Sequence, residues 1–236
     1  MKMLLGDIPV DVVKKDIKNV HLSVHPPSGS VRISAPRAMN DDSIRCFALS
    51  RLGWIRKQQH KFIQQDRETP REYLERESHF VWGERRLLRI EEKSAPQSIQ
   101  LQHKSILMQV RPRTGTEKKQ MLLDDWYRQQ LKTVISEFIR HWEKKTGVQV
   151  CEFGVRKMKT RWGTCNPQAK RIWLNLELAK KPKECLEYIV VHEMVHLIEP
   201  THNKHFAELM NTFLPQWKHY RDLLNRLPVR HEDWGY

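Results

Sequence analysis

Tyr188-Ile189-Val190-Val191-His192-Glu193-Met194-Val195-His196-Leu197-Ile198-Glu199-Pro200-Thr201-His202 decides how this chain reads. Its core, His192-Glu193-x-x-His196, puts two imidazoles four residues apart. On a helix that spacing stacks them one turn above the other on one face. Two imidazoles so placed can share one metal ion, and Glu193, next to the first ligand, can lean towards a water at that ion. It would serve as general base and then as acid. Zinc suits the donors best, because imidazole binds it well and the chemistry requires no redox change.

Outward from the motif, Leu186, Ile189, Val190, Met194 and Leu197 recur at helical spacing. Pro182 suits the first turn and Pro200 lies just beyond the end, which predicts an amphipathic helix over 183–198. His202 stands six residues past His196, beyond the break at Pro200-Thr201, so the chain can turn back and offer a third nitrogen. His205 ranks behind it as third ligand. Glu199 and Glu208 rank lower, since carboxylate-liganded sites of this kind place their glutamate further downstream.

The rest of the chain predicts an α+β protein. Val20–Val24 and Val31–Ser34 alternate around a turn rich in Pro, Ser and Gly, reading as a hairpin. Asn40-Asp41-Asp42 caps a helix expected over 41–66. Residues 67–78 read as a polar linker. Paired strands are expected around Trp82-Gly83-Glu84 and around Lys104. Thr114-Gly115-Thr116 then breaks the pattern. A long helix follows to about Lys145, its inner face Leu123, Tyr127, Leu131, Val134, Ile135, Phe138 and Trp142, with Gly147 ending it. Strands over 149–155 and 171–176 precede the motif helix; helices over 204–213 and 217–227 follow it. No internal repeat is visible. The expected organisation is an N-terminal β-rich domain with one helix over 1–115 and a metal-binding catalytic domain over 116–236.

The chain has 236 residues, 42 Lys plus Arg against 28 Asp plus Glu, and a net charge of +14. With 39% hydrophobic and 30% charged residues it is too apolar for a disordered chain. No apolar run spans a membrane, and residues 1–10 hold no signal-peptide core, so a cytoplasmic protein is expected. Four widely spaced cysteines without a CxxC argue against a zinc ribbon or disulfide framework. The charge is spread, +8 over 1–115 and +6 over 116–236, so there is no basic tail. Only Arg156–Arg171 stands apart, with Arg156, Lys157, Lys159, Arg161, Lys170 and Arg171 and no acid. An anionic or protein substrate is therefore expected, with nucleotide or nucleic acid as further partners.

Lys159-Thr160-Arg161-Trp162-Gly163-Thr164-Cys165, the pair Leu174-Asn175, Tyr188–Glu193 and His202–Phe206 together resemble the YgjP-like metallopeptidase family, a relative of the SprT-like and WLM zinc peptidases. The resemblance covers most of the chain. It implies a minimal zincin-like fold, a small sheet packed on the active-site helix. It also implies His192, His196 and His202 as ligands of one zinc ion and Glu193 as the catalytic residue. Asn203 stands where the family tends to have Ser, and Ala207 where it tends to have Trp. Some members are described as nucleoside-triphosphate pyrophosphatases, so a phosphohydrolase is the alternative to a peptidase. A third reading is a basic nucleic-acid binder with structural zinc, for which Glu193 has no use and in which stacking aromatics should alternate with the cations.

Arg161 and Trp162 are candidate substrate-binding residues, Arg161 for a carboxylate, a phosphate or a developing oxyanion. Cys165 is a reactive thiol, an extra ligand or, more simply, a small buried side chain. Tyr220, flanked by His219 and Arg221, is a candidate hydrogen-bond donor to a tetrahedral intermediate, against the plainer reading of an amphipathic helix packed on the metal domain.

Overall fold

The computed structural model describes residues 2–25, 28–64, 71–159 and 161–228. It is a mixed α+β structure with three sheets, and it divides into two compact units, the first up to Glu68 and the second from Thr69 to Arg230.

The first unit opens with β1 (Lys2–Leu5), β2 (Ile8–Lys15), β3 (His21–His25) and β4 (Ser30–Pro36), ordered β1-β2-β4-β3. Strict alternation buries Met3, Leu5, Ile8, Val10, Val12, Val31, Ile33 and Ala35 on one face. Ile44, Ala48 and Ile55 of the helices α1 (Asp41–Ser50) and α2 (Leu52–Gln64) cover that face. Asn40 caps α1 through its side chain, which accepts from Ser43 N at 2.7 Å. The single helix expected over 41–66 is thus two. Arg51, at φ −106° and ψ 5°, leaves the helix, and its N–H bonds back to Ala48. Residues 65 and 66, like the first part of the expected linker, lie outside the described residues.

The second unit begins the same way. β5 (Ser78–Val81), β6 (Glu84–Glu92), β7 (Ser98–Leu101) and β8 (Ser105–Val110) are ordered β5-β6-β8-β7. In both sheets the outer pairs are antiparallel and the central pair, β2–β4 or β6–β8, is parallel. A glycine with positive φ turns the first hairpin of each, Gly6 at 66° and Gly83 at 83°. Helix follows each sheet. The same topology therefore occurs twice, although the sequence shows no repeat. Only alternation and a turn glycine need be shared to build it, and many sequences satisfy both.

α3 (Thr116–Thr146) ends on Gly147, left-handed at φ 72°. Leu123, Tyr127, Leu131, Ile135 and Trp142 are buried as expected; Trp126 and Ile139 join them, while Val134 and Phe138 are half-buried. The expected domain boundary at 115/116 falls inside this unit. Val81, Leu88, Ile106 and Met108 of the sheet share one core with α3, and the Tyr127 hydroxyl donates to the Phe80 carbonyl at 2.7 Å.

Beyond α3 lie β9 (Glu152–Arg156), β10 (Gly163–Asn166) and β11 (Arg171–Asn175), ordered β10-β11-β9. A 3₁₀ turn, Leu176–Lys180, leads into α4 (Lys183–Val195), which precedes α5 (Lys204–Phe213) and α6 (Trp217–Arg226). β10 went unread in the sequence because it is short, polar and begins on glycine. α4 is not amphipathic as expected. From Cys185 to Val195 only Glu187 and His192 are not buried, because β10, β11, α3, α5 and α6 surround it. It stops three residues early, with His196 as its C-cap. No described helix is long and apolar enough to cross a membrane.

Candidate metal centre

His192 lies in the last turn of α4, and His196 closes that helix in right-handed geometry at φ −65° and ψ −15°. The chain then turns through Glu199–Thr201. The Glu199 carboxylate accepts from the Thr201 N–H at 3.1 Å and from its hydroxyl at 2.8 Å, and that hydroxyl contact holds Glu199 below the usual carboxylate range. Asn203 then caps α5, accepting from Phe206 N at 2.9 Å. Asn and Ser both cap helices well, so the departure at 203 preserves the turn that presents His202.

His202 Nε2 lies 3.0 Å from His192 Nε2 and 3.1 Å from His196 Nε2. Such an atom from each residue lies within 4.8 Å of the others. A tetrahedral zinc ion with bonds of roughly 2.0–2.1 Å separates its nitrogens by about 3.3 Å, so the cluster is already close to coordinating size. Protonation agrees. Burial, then the charges of His196 and His202, depress His192 to about 3, and burial lowers His196 as well. Neutral imidazoles are the form that ligates metal. His196 Nδ1 faces the Glu199 carbonyl at 3.1 Å, which places its proton there and leaves the Nε2 lone pair for the cluster. His192 Nδ1 is buried and finds no hydrogen-bond partner among the described residues. The donor set fits a zinc-type ion.

The floor of the cluster is Phe206, 3% exposed, whose ring centroid lies 5.0, 4.7 and 4.8 Å from those of His192, His196 and His202. Tyr188, one turn before His192, sets its ring edge-on to it at 5.8 Å and stacks on Trp217. Neither aromatic was singled out from sequence as part of the site. For Tyr188 the i,i+4 spacing to His192 was the available signal.

Glu193 is 5% exposed, and burial pushes its carboxyl up to about 8, partly opposed by the Arg161 guanidinium. It points at β10. A methyl on Gly163 would stand 2.5 Å from Glu193 Oε1, so only glycine lets the carboxylate lie there. Cys165, half-buried two residues on, is raised to about 11 by burial and by Glu193. Such a thiol is a poor nucleophile.

Arg161 is exposed and Trp162 half-buried against the core. The Trp162 carbonyl accepts from Asn175 N at 2.9 Å. Tyr220 donates its hydroxyl to Gln216 Oε1, one turn back on the C-terminal helix region, at 2.8 Å, so that group serves its own surroundings. Arg221 lies over the Trp217 ring at 5.2 Å. The competing ligands are placed apart from the cluster. His205 is exposed near the start of α5, Glu199 holds the turn, and Glu208 pairs with Lys204 at 3.6 Å.

The basic window divides across the small sheet. Lys157 pairs with Asp124 and Arg171 with Glu152, while Arg156 lies 3.6 Å from the Trp173 ring centroid. Trp173 pairs with Thr164, one register from the Leu174–Gly163 pair, so it faces away from Glu193.

A family model described as YgjP-like, metallopeptidase domain, matches residues 18–227. Among the curated proteins none matches. A solved structure, the crystal structure of the metallopeptidase zymogen of Pyrococcus abyssi abylysin, is similar at 21% identity and a TM-score of 0.36, covering 38% of this chain and 90% of that one.

Proposed function

The chain belongs to the YgjP-like metallopeptidase family, metal-dependent hydrolases of the peptidase type, and on that premise we propose that it hydrolyses peptide bonds with one zinc ion held by His192, His196 and His202. The observation that carries this is the convergence of three histidine Nε2 atoms, 3.0 and 3.1 Å apart, beside a buried Glu193. The packing of α4 against β10 and β11 supports the minimal zincin-like frame that the resemblance implies.

Zinc held there would supply Lewis acidity towards a carbonyl and would make water nucleophilic near neutral pH. Glu193, as the carboxylate, would take the proton of the attacking water. It then passes that proton to the leaving amine. Arg161, whose charge acts on Glu193, is the cation assigned here to the negative charge that would develop on the substrate.

The same residues could act on a phosphoanhydride. Lys157, Arg171 and Arg156 are engaged by Asp124, Glu152 and Trp173, which weighs towards the peptide. Purified wild-type protein and Glu193→Gln should each carry one equivalent of zinc. Wild type should cleave unfolded casein, with the variant slower by on the order of 10²–10⁴-fold. Hydrolysis of nucleoside triphosphates but not casein would replace the peptidase reading with the phosphohydrolase one. Hydrolysis of neither, with zinc bound, would overturn both.

A further inference from the structure

Residues 43–65, which span α1 and α2 of the first unit, hold Arg45, Arg51, Arg56, Lys57 and Lys61 and no acid. Arg45, Arg51, Arg56 and Lys57 are exposed. Arg56 reaches one carboxylate, Asp7 at 3.5 Å, with both side chains open to water. Arg45, Arg51 and Lys57 meet no carboxylate among the described residues. The cations of Arg156–Arg171 are placed otherwise: Lys157 and Arg171 are paired with acids, and Arg156 lies on a tryptophan.

Among the free cations stands Trp54, 44% exposed, while every other described tryptophan is buried or half-buried. A ring of that size normally goes to a core or an interface. α2 shows why this one is left outside. Leu52 and Ile55 pack on the core of the first unit, and Gln59 Nε2 donates to the Gly29 carbonyl at 2.9 Å. Their spacing of three and four puts these residues on one side of the helix. Trp54 and Lys57, one turn apart, lie off that side. Arg51 stands one turn before Trp54, because α2 begins there: the Ile55 N–H donates to the Arg51 carbonyl at 2.9 Å. The exposed ring thus has one cation a turn before it and another a turn after.

A flat aromatic face between cations suits an unpaired nucleic-acid strand, whose bases stack on the ring while its phosphates meet the charges. A duplex hides its base faces and gives Trp54 nothing to stack on. A membrane surface takes a helix whose apolar side is free to enter the lipid, and that side of α2 is engaged by the sheet.

We propose that the α1–α2 face of the first unit binds single-stranded nucleic acid, with a base stacked on Trp54 and neighbouring phosphates on Arg51 and Lys57. Binding there is independent of the hydrolase reading, since it uses residues of the first unit alone.

The test uses the full chain and a short fluorescein-labelled oligothymidylate, with binding followed by anisotropy across a salt series. Wild type should bind, and Trp54→Ala should weaken binding on the order of tenfold, the loss expected when one stacking platform is removed. Trp54→Phe keeps a ring and should recover most of the affinity. Trp54→Leu keeps only apolar bulk and should not. Arg51→Ala and Lys57→Ala should each lower the slope of log affinity against log salt by roughly 0.7, the share of one phosphate contact on a single strand. The three side chains are exposed, so every variant should keep the wild-type urea midpoint. Trp54→Leu binding as tightly as wild type would overturn the proposal. So would a duplex of the same length bound as tightly as the single strand, or no oligothymidylate bound at low salt. Trp54→Ala binding like wild type, with Arg171→Ala lowering the salt slope as much as Arg51→Ala does, would overturn it in favour of net charge. Wild type captured on phosphatidylserine vesicles but not by the oligothymidylate, with capture lost in Trp54→Ala, would replace nucleic acid by a membrane.

Discussion

Gly163 on β10 and Glu193 on α4 are in such close register that a single added methyl on the glycine would stand 2.5 Å from Oε1, 2.8 Å from Cγ and 2.9 Å from Cδ of the glutamate. The strand can approach the motif helix only because it has no side chain there. Gly163→Ala must therefore push the Glu193 carboxylate aside while leaving the three histidines untouched. Casein hydrolysis should fall by on the order of 10²-fold, with zinc content unchanged. Wild-type kcat in the alanine variant would refute the close packing.

Phe206 touches all three imidazoles from below. Its truncation to alanine opens a cavity under the cluster, at a stability cost of about 3–5 kcal/mol. The histidines then lose their common support, so zinc affinity should weaken together with stability. Competition with a chromophoric chelator reads the affinity, and urea unfolding reads the stability. Phe206→Leu, with much of the volume restored, should recover most of both. Zinc affinity equal to wild type in Phe206→Ala would show that the ring does not support the cluster.

His192 is held neutral, at about 3, by burial and by its two histidine neighbours, whereas an unfolded histidine titrates near 6.5. Below pH 6.5 the unfolded chain therefore binds a proton that the fold refuses. Metal-free protein keeps this site's full share of stability above pH 6.5 and loses it progressively as pH falls towards 3. The urea midpoint of stripped protein should drop across that window. His192→Gln should flatten the drop. An equally steep profile in the variant would assign the acid sensitivity elsewhere.

Asn203 carries the N-terminus of α5 on one hydrogen bond, from Phe206 N at 2.9 Å. Asn203→Ala should cost about 1 kcal/mol in thermal or urea unfolding, and Asn203→Ser should cost little, since serine caps as well. The alanine variant should also loosen His202, one residue before the cap, and so weaken zinc binding more than its stability loss alone implies. Equal stability in the alanine and serine variants would mean that the cap contributes nothing.

The helices with strong periodicity were legible because their spacing is a local property: α3, α5 and α6 lie close to where the residue pattern places them, and Gly147 ends α3 as its type requires. Paired strands around Trp82-Gly83 and Lys104 were legible for the same reason. The break at Arg51 was not. Apolar residues continue at helical spacing through 44–62, and a one-residue interruption does not disturb that count. The repeated four-strand topology was hidden because strand order is set by pairing between distant segments, which leaves only alternation in the sequence.

The sequence by itself determined the motif: which residues could hold a metal, at what spacing, and with which glutamate beside them. Local helix geometry brings His192 and His196 together, and a short turn can return only a few residues later, to His202. Tertiary structure decided what surrounds them. It placed Phe206 beneath the cluster, Gly163 against Glu193 and Asn175 at the Arg161 carbonyl, and turned Arg156 away onto Trp173. These contacts join segments far apart in the chain, and their energies come from close packing and from buried hydrogen bonds. Neither leaves a periodic trace in the order of residues.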